Sequence, residues 1–229
     1  MTINDLITEF KTTYELGSLG LPGFEDSEIK QLLEINQYKM INQKFGGNNI
    51  YKSEFPDTLK RIDDLQGLLV AEYLDLYQTN TNINEYLVIL SSITNYLHTY
   101  KVRIKTTGGV FDLAEPVKLN ESIRFSSGFR NTNPVLKNPK YTITSNNSGQ
   151  KIIMVYYFKS TDSAILTTAG CELTYIRKPE NLTGTPSSLL IDFNDDVYHE
   201  LVAMTVDHAI SIVSPNKSQV SQQQLNKIE

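Results

Sequence analysis

PDTLKRIDDLQGLLVAEYLDLYQ, residues 56–78, is the stretch on which the architecture turns. At a helical period Leu59, Ile62, Leu65, Leu69, Tyr73 and Leu76 share one face, and Pro56-Asp57 is a start signal. TNTNIN, residues 79–84, is turn chemistry and ends the segment. On this reading 56–78 is the third of three N-terminal helices, and amphipathic helices joined by short loops must pack on one another or on a partner.

Toward the N-terminus the pattern is the same. Thr2 and Asp5 form a variant capping box, followed by an apolar face of Ile3, Leu6, Ile7, Phe10 and Tyr14. GSLGLPGF, residues 17–24, stops that helix. Asp26 or Ser27 caps a second one, with Ile29, Leu32, Leu33, Met40 and Ile41 as its apolar set and Gly46-Gly47 at its end.

Toward the C-terminus the period changes to two from Tyr86 onward. YLVIL and HTYKVRIK alternate, with His98, Tyr100, Val102 and Ile104 facing one way and Thr99, Lys101, Arg103 and Lys105 the other. KYTIT, KIIMVYYF and CELTYIRK are further strands, and SNNSGQ (145–150) joins the first two as a hairpin loop. Phe111–Asn138 reads as an irregular surface excursion. Helix then returns in FNDDVYHELVAMTVDHAISIV, 193–213. Asn194 is its N-cap, and Asp195 and Asp196 in its first turn complement the helix dipole. Phe193 can staple to Val197 or Tyr198, and Val197, Leu201, Met204, His208 and Ile212 form its seam. The expected fold is therefore α+β. Residues 1–82 and 190–213 make a helical bundle of three N-terminal helices plus a C-terminal one, 83–189 an inserted β-rich module, and 214–229 a polar tail.

The composition is that of a globular chain, 40% hydrophobic and 21% charged over 229 residues. A net charge of -5 gives no global electrostatic reason for tight DNA binding, although an acidic surface suits a passage through which DNA slides. The lone cysteine, Cys171, excludes an internal disulfide and reads as a small buried thiol. MTINDLITEF has no basic n-region followed by an apolar run, so no signal peptide is expected, and no stretch is long and apolar enough to span a bilayer.

Four acids and two histidines near the end invite an acid–base or metal reading. His199 and His208 are nine residues apart and point to opposite faces, so His199, Glu200, Asp207 and His208 do not make the i, i+4 histidine pair of a zinc protease. Asp57, Asp63 and Asp64 near Arg61 read as a solvated helix face. Phosphate loop, dinucleotide fingerprint and nucleophile elbow are all missing, and the Gly pairs at 46–47 and 108–109 are turns. The basic stretches KVRIK, IRKP, RFSSGFR and LKNPK could gather into a nucleic-acid patch on one surface of the β module, but with an acidic total scattered solvated charges are the preferred reading. Catalytic, cofactor-binding and metal-ligating residues are accordingly expected to be none.

The order of these parts carries a resemblance. LGLPGFEDSEIKQLLEINQYKMINQ, KRIDDLQGLL, NPVLKNPKYTI, ELTYIRKPENL and FNDDVYHELVAMTVDHAI together look like the ring, or head-to-tail connector, family of crAss-like phages. More distantly they are similar to the tail tubular (gatekeeper) portal adaptors of short-tailed phages. The resemblance covers nearly the whole chain and lies in architecture, not in catalytic signatures. It implies a non-enzymatic subunit of the virion neck, assembled in the host cytoplasm without cofactor or membrane. The subunit would form a homo-oligomeric ring, a dodecamer if it obeys portal symmetry. That ring would touch the portal protein and neighbouring tail rings and leave a channel through which double-stranded DNA passes non-specifically. The tail 214–229 would become ordered on the portal or a neighbouring ring. Two other readings compete. One is a monomeric carbohydrate- or peptide-binding module with Tyr156, Tyr157 and Phe158 as its platform. The other is a hydrolase using His199 with Glu200 or Asp207.

Overall fold

The computed structural model describes residues 1–18, 21–46, 63–80, 85–106, 109–121, 139–157, 167–182, 190 and 192–214. The described residues within Met1–Leu68 and Pro179–Glu229 form one compact unit, and those within Leu69–Lys178 another.

The first unit is built on α1 (Ile3–Ser18), α2 (Asp26–Gly46) and α3 (Asp195–Val213). Reciprocal bonds start α1: the Thr2 N–H donates to Asp5 Oδ2 at 2.7 Å, and the Asp5 N–H donates to Thr2 Oγ1 at 3.2 Å. At α2 a glutamate does the same work, Glu28 Oε2 accepting from the Glu25 N–H at 2.9 Å. At α3 Asn194 holds the cap position with extended backbone, but its side chain makes no capping bond. The rings of Phe193 and Tyr198 meet edge to face at 5.4 Å and fix the start of α3 instead. α3 packs on both other helices. Glu9 faces His199 and Gly17 approaches Ile210, so α1 and α3 run in the same direction. Asn36 faces His208 and Lys44 faces Glu200, so α2 runs against them. The buried stripe of α3 is Val197, Tyr198, Leu201, Val202, Thr205, Val206 and Ala209, a wider face than the expected seam, from which Ile212 is left exposed.

The second unit is one mixed sheet of eight strands. These are β1 (Leu69–Leu74), β2 (Tyr77–Asn80), β3 (Glu85–Ile89), β4 (Tyr96–Lys105), β5 (Phe111–Pro116), β6 (Lys140–Ser145), β7 (Lys151–Tyr156) and β8 (Cys171–Arg177). Their spatial order is β1-β8-β4-β5-β6-β7-β3-β2. Every pair is antiparallel except β5 with β6, which meet in parallel over Glu115–Pro116 and Lys140–Tyr141. The outermost strands, β1 and β2, are separated in the chain by Asp75 and Leu76 alone. Two strands that share a corner can flank the same sheet only if it curls, and the result is a half-barrel. Its concave side is filled by alternate residues of successive strands, among them Val88, Val102, Ile104, Ala114, Ile153, Val155, Cys171 and Leu173, with Leu76 entering from the corner.

This sheet overturns the expected fold class. The chain is mostly a curled eight-stranded sheet, not a four-helix bundle carrying an inserted β module. The decisive stretch is the one read as the third helix. Residues 56–62 lie outside the described residues; beyond them Asp63–Asp64 is helical, Gln66–Leu68 is a 3₁₀ turn, and Leu69–Leu74 is strand β1. Six residues of β1 pair with β8, from Leu69 opposite Ile176 to Leu74 opposite Cys171. Val70 and Leu74 then pack on the core while Tyr73, assigned to the buried helical face, is 62% exposed. Cross-strand pairing with a partner a hundred residues away supplies burial that the local helical stripe could not. The expected excursion at Phe111–Asn138 is also corrected in part, because Phe111–Pro116 is a central strand. Residues 122–138 are outside the described set. Where β6 turns into β7, Asn146 organises the hairpin: its Oδ1 accepts from the N–H groups of Ser148 and Gln150, and Gly149 takes φ +74, the left-handed geometry such a turn needs.

Candidate functional site

α3 gathers most of the singled-out residues, and its neighbours decide what each can do. His199 stands exposed with Nδ1 2.6 Å from Glu9 Oε1. The hydrogen bond that the imidazole donates to Glu9, and the charge of Glu9, raise His199 above its ordinary value, with Asp195 and Asp196 adding to the effect. His208, nine residues on, turns to α2, where its Nδ1 lies 3.1 Å from Asn36 Nδ2. Asn36 is fully buried and its amide also donates to the Leu32 carbonyl at 2.8 Å. The two histidines thus belong to different helix–helix contacts and share no ligand position.

Glu200 joins a small ionic junction. Lys44 Nζ lies 2.7 Å from Glu200 Oε2 and 2.7 Å from Asp64 Oδ2. Burial of the ammonium works against its charge, but the two carboxylates outweigh it and hold Lys44 above its ordinary value. Lys44 ties α2, the segment leading into β1, and α3 together. Asp207 is exposed on α3, and Asp63 is exposed beside Asp64. Asp57 and Arg61 lie outside the described residues. Among the described residues no three His, Cys, Asp or Glu side chains cluster in a way that could hold a metal ion. No helix is long and apolar enough to cross a membrane among those residues.

In the sheet Cys171 is fully buried between β1 and β4. Burial, and then the adjacent Glu172, push its thiol up to about 12, where it is a packing group and not a nucleophile. Of the proposed aromatic platform, Tyr156 and Tyr157 are both buried; Phe158 is outside the described residues. Gly109, of the second Gly pair, does sit in a turn, with φ +78 and its N–H donating to the Thr106 carbonyl at 2.8 Å.

β4 departs from the simple alternation read in it. Its register against β8 slips between Tyr96 and His98 and again between Thr99 and Lys101. Each slip inserts one residue and reverses the facing that follows. Thr99 therefore opposes core residue Tyr175, and His98 opposes Ile176 on the other face, alongside Lys101 opposite Thr174 and Arg103 opposite Glu172. Tyr100 lies at the second slip and is exposed. Burial, with Lys151 contributing, lowers the His98 imidazole below its ordinary value.

Several pairings were invisible in the sequence. Arg103 forms an ion pair with the nearly buried Glu172, its opposite residue on β8. Lys140 pairs with Glu115 across the one parallel contact. Inside the curl, two tyrosines donate to carboxylates: Tyr157 to Asp112 at 2.6 Å and Tyr175 to Glu72 at 2.9 Å. Burial, then Glu72, push the Tyr175 hydroxyl up to about 12. These bonds satisfy polar groups that face a largely apolar interior. On the convex face Phe111 is overlain by the Arg103 guanidinium at 5.1 Å and the Lys105 ammonium at 5.4 Å, with the Tyr73 ring at 6.2 Å. What the described side chains assemble is thus a set of ionic clamps and cation–aromatic surfaces.

No protein-family model matches the chain, and no curated protein matches it in sequence.

Proposed function

We propose that this protein is a non-enzymatic structural subunit of a phage virion. Copies of it form a ring below the portal that joins capsid to tail and leaves a channel for the genome. The order of segments that resembles the ring connectors of crAss-like phages motivates the reading. The observation that carries it is a pair of unlike apolar exposures on one chain. Leu16 and Ile212 are exposed on α1 and α3 of the helical unit, Leu16 by 78%, while Tyr73 and Leu113 are exposed on the sheet. A ring closes through heterologous contacts, in which every copy must offer two different complementary surfaces. Exposed large apolar groups are what such surfaces bury.

The test is the mass of the purified full chain, alone and mixed with the portal protein, by light scattering or native mass spectrometry. The expected result is a closed multi-copy species of single stoichiometry, formed alone or on the portal. A chain that stays monomeric and ignores the portal overturns the reading. The burial of Tyr156 and Tyr157 favours the ring reading over the sugar- or peptide-binding alternative, which needs them exposed.

A further inference from the structure

The charges of this chain are segregated. Twelve of its 21 lysines and arginines but only eight of its 26 acids fall within Leu69–Lys178. That stretch carries +4 and the remainder -9, which together make the -5 of the whole. Between Lys178 and Lys217 there are six acids and no lysine or arginine. Three of the six, Asp196, Glu200 and Asp207, stand at i, i+4 and i+11 on α3 and with Ala203 make one exposed face. At ~1.5 Å per residue this acidic stripe is about 16 Å long. Glu200 already shares Lys44, so among the described residues Asp196 and Asp207, at its two ends, are the charges without an ion-pair partner.

The opposite sign lies on the convex face of the sheet. The pairings of Lys101 with Thr174, Arg103 with Glu172 and Lys105 with Phe111 align the three cations in one row along β4. Residues two apart on a strand are separated by ~6.7 Å, so the row is about 13 Å long. Glu172 neutralises Arg103, which among the described residues leaves Lys101 and Lys105 as the unpaired charges at the ends of the row. Apolar side chains frame it: Phe111 and Leu113 from β5 on one side and Tyr73 from β1, whose ring reaches Phe111, on the other, with Tyr73 and Leu113 exposed.

We infer that the acidic stripe of α3 in one copy docks on the β4 cation row of a second copy, head to tail. Stripe and row agree in length, each has its free charges at its two ends, and the signs are complementary. Tyr73, Phe111 and Leu113 give the contact apolar groups to bury around the charges, which a charge pair in open water lacks. Row on row or stripe on stripe would set like charges face to face, so only unlike patches of two copies pair. A head-to-tail contact leaves each copy a row or a stripe for the next one, and a complex that stops at two copies, each stripe on the other's row, contradicts it. The inference rests on the ring reading only in taking the occupant to be another copy of this chain.

The experiment uses two full-length charge reversals, Lys101→Glu with Lys105→Glu, and Asp196→Lys with Asp207→Lys. Arg103 is left in place because its loss would strand Glu172. Self-association is measured by sedimentation, with and without portal protein, at about 50 and about 500 mM salt. Wild-type association should weaken at the higher salt, and each reversal alone should weaken it at least about tenfold. An equimolar mixture of the two should regain wild-type strength, because each then meets a partner of opposite sign. Rescue by mixing also separates loss of the contact from misfolding, which no partner restores. Assembly that proceeds normally with both reversals overturns this interface and leaves the ring reading standing. A wild-type chain that is monomeric in every condition overturns both. Loss of duplex-DNA retention in the Lys101→Glu/Lys105→Glu protein, with self-association unchanged, gives the row to nucleic acid and overturns the inference.

Discussion

His199 and Ala169 are two single positions where the physics has a definite sign. The Glu9 carboxylate raises the folded-state value of the His199 imidazole. A group raised on folding contributes stability that is complete below its unfolded value, near ~6.5, and that disappears as pH climbs through the folded value. The urea midpoint of the wild type should therefore fall as pH rises from about 6 to about 8 through this pair. Glu9→Gln should flatten that slope, and an unchanged slope would remove Glu9 as its cause. Ala169 has φ 50 in the turn before β8, held there as its N–H donates to Asp75 Oδ1 at 2.8 Å. A left-handed alanine costs about 1 kcal/mol, so Ala169→Gly should raise the denaturation free energy by up to that amount, less the entropy glycine adds to the unfolded chain. Thermal or urea unfolding measures it, and a clear loss of stability would contradict the strained geometry.

At the scale of elements, the helices were legible from their ends. Thr2 with Asp5 announces α1, and its apolar face is the buried one, because capping and periodicity are both local. The third expected helix was misread because Leu65, Leu69, Tyr73 and Leu76 satisfy a helical period while Val70 and Leu74 satisfy a strand period. Only pairing with β8 decides between them. β5 was missed because FDLAEP shows little alternation: Ala114 is its one fully buried residue, and Asp112, opposite Ile104, faces inward, where Tyr157 donates to it. The two slips in β4 carry no sequence signal, so Thr99 and His98 were assigned to the wrong faces. Long-range partners are likewise why the His199–Glu9 contact and the Lys44 junction could not be foreseen. Strand β1 makes a direct test: Tyr73→Ser should change stability by less than about 0.5 kcal/mol, as exposed positions do, whereas the helical assignment would make it costly. The Lys44 junction makes another. Lys44→Met should destabilise by about 1–3 kcal/mol, since Asp64, itself mostly buried, loses its counter-charge. Equal stability in chemical denaturation would show that Lys44 contributes nothing to holding α2 and α3.

At the scale of the molecule, Leu69–Lys178 has what an independent domain requires. All eight described strands lie inside it, and so do the described side chains that fill the curl. Its ends are also well placed for excision, with β1 beginning at Leu69 and the Lys178 N–H donating back to the Asn95 carbonyl at 2.7 Å. A stretch that owns its core and its hydrogen-bonded edges folds without the rest of the chain. The isolated 69–178 fragment should therefore unfold cooperatively and keep dispersed amide resonances. Carrying +4 where the whole chain carries -5, it should also bind a cation exchanger that lets the intact protein pass. If it emerges instead as a collapsed species without fixed packing, the helical unit must be supplying part of the sheet's stability. The two-unit division would then describe geometry alone. A folded fragment gives the charge-reversal experiments their cleanest reagent: it presents the β4 row without the α3 stripe, and should cap assembly of the full chain instead of joining it.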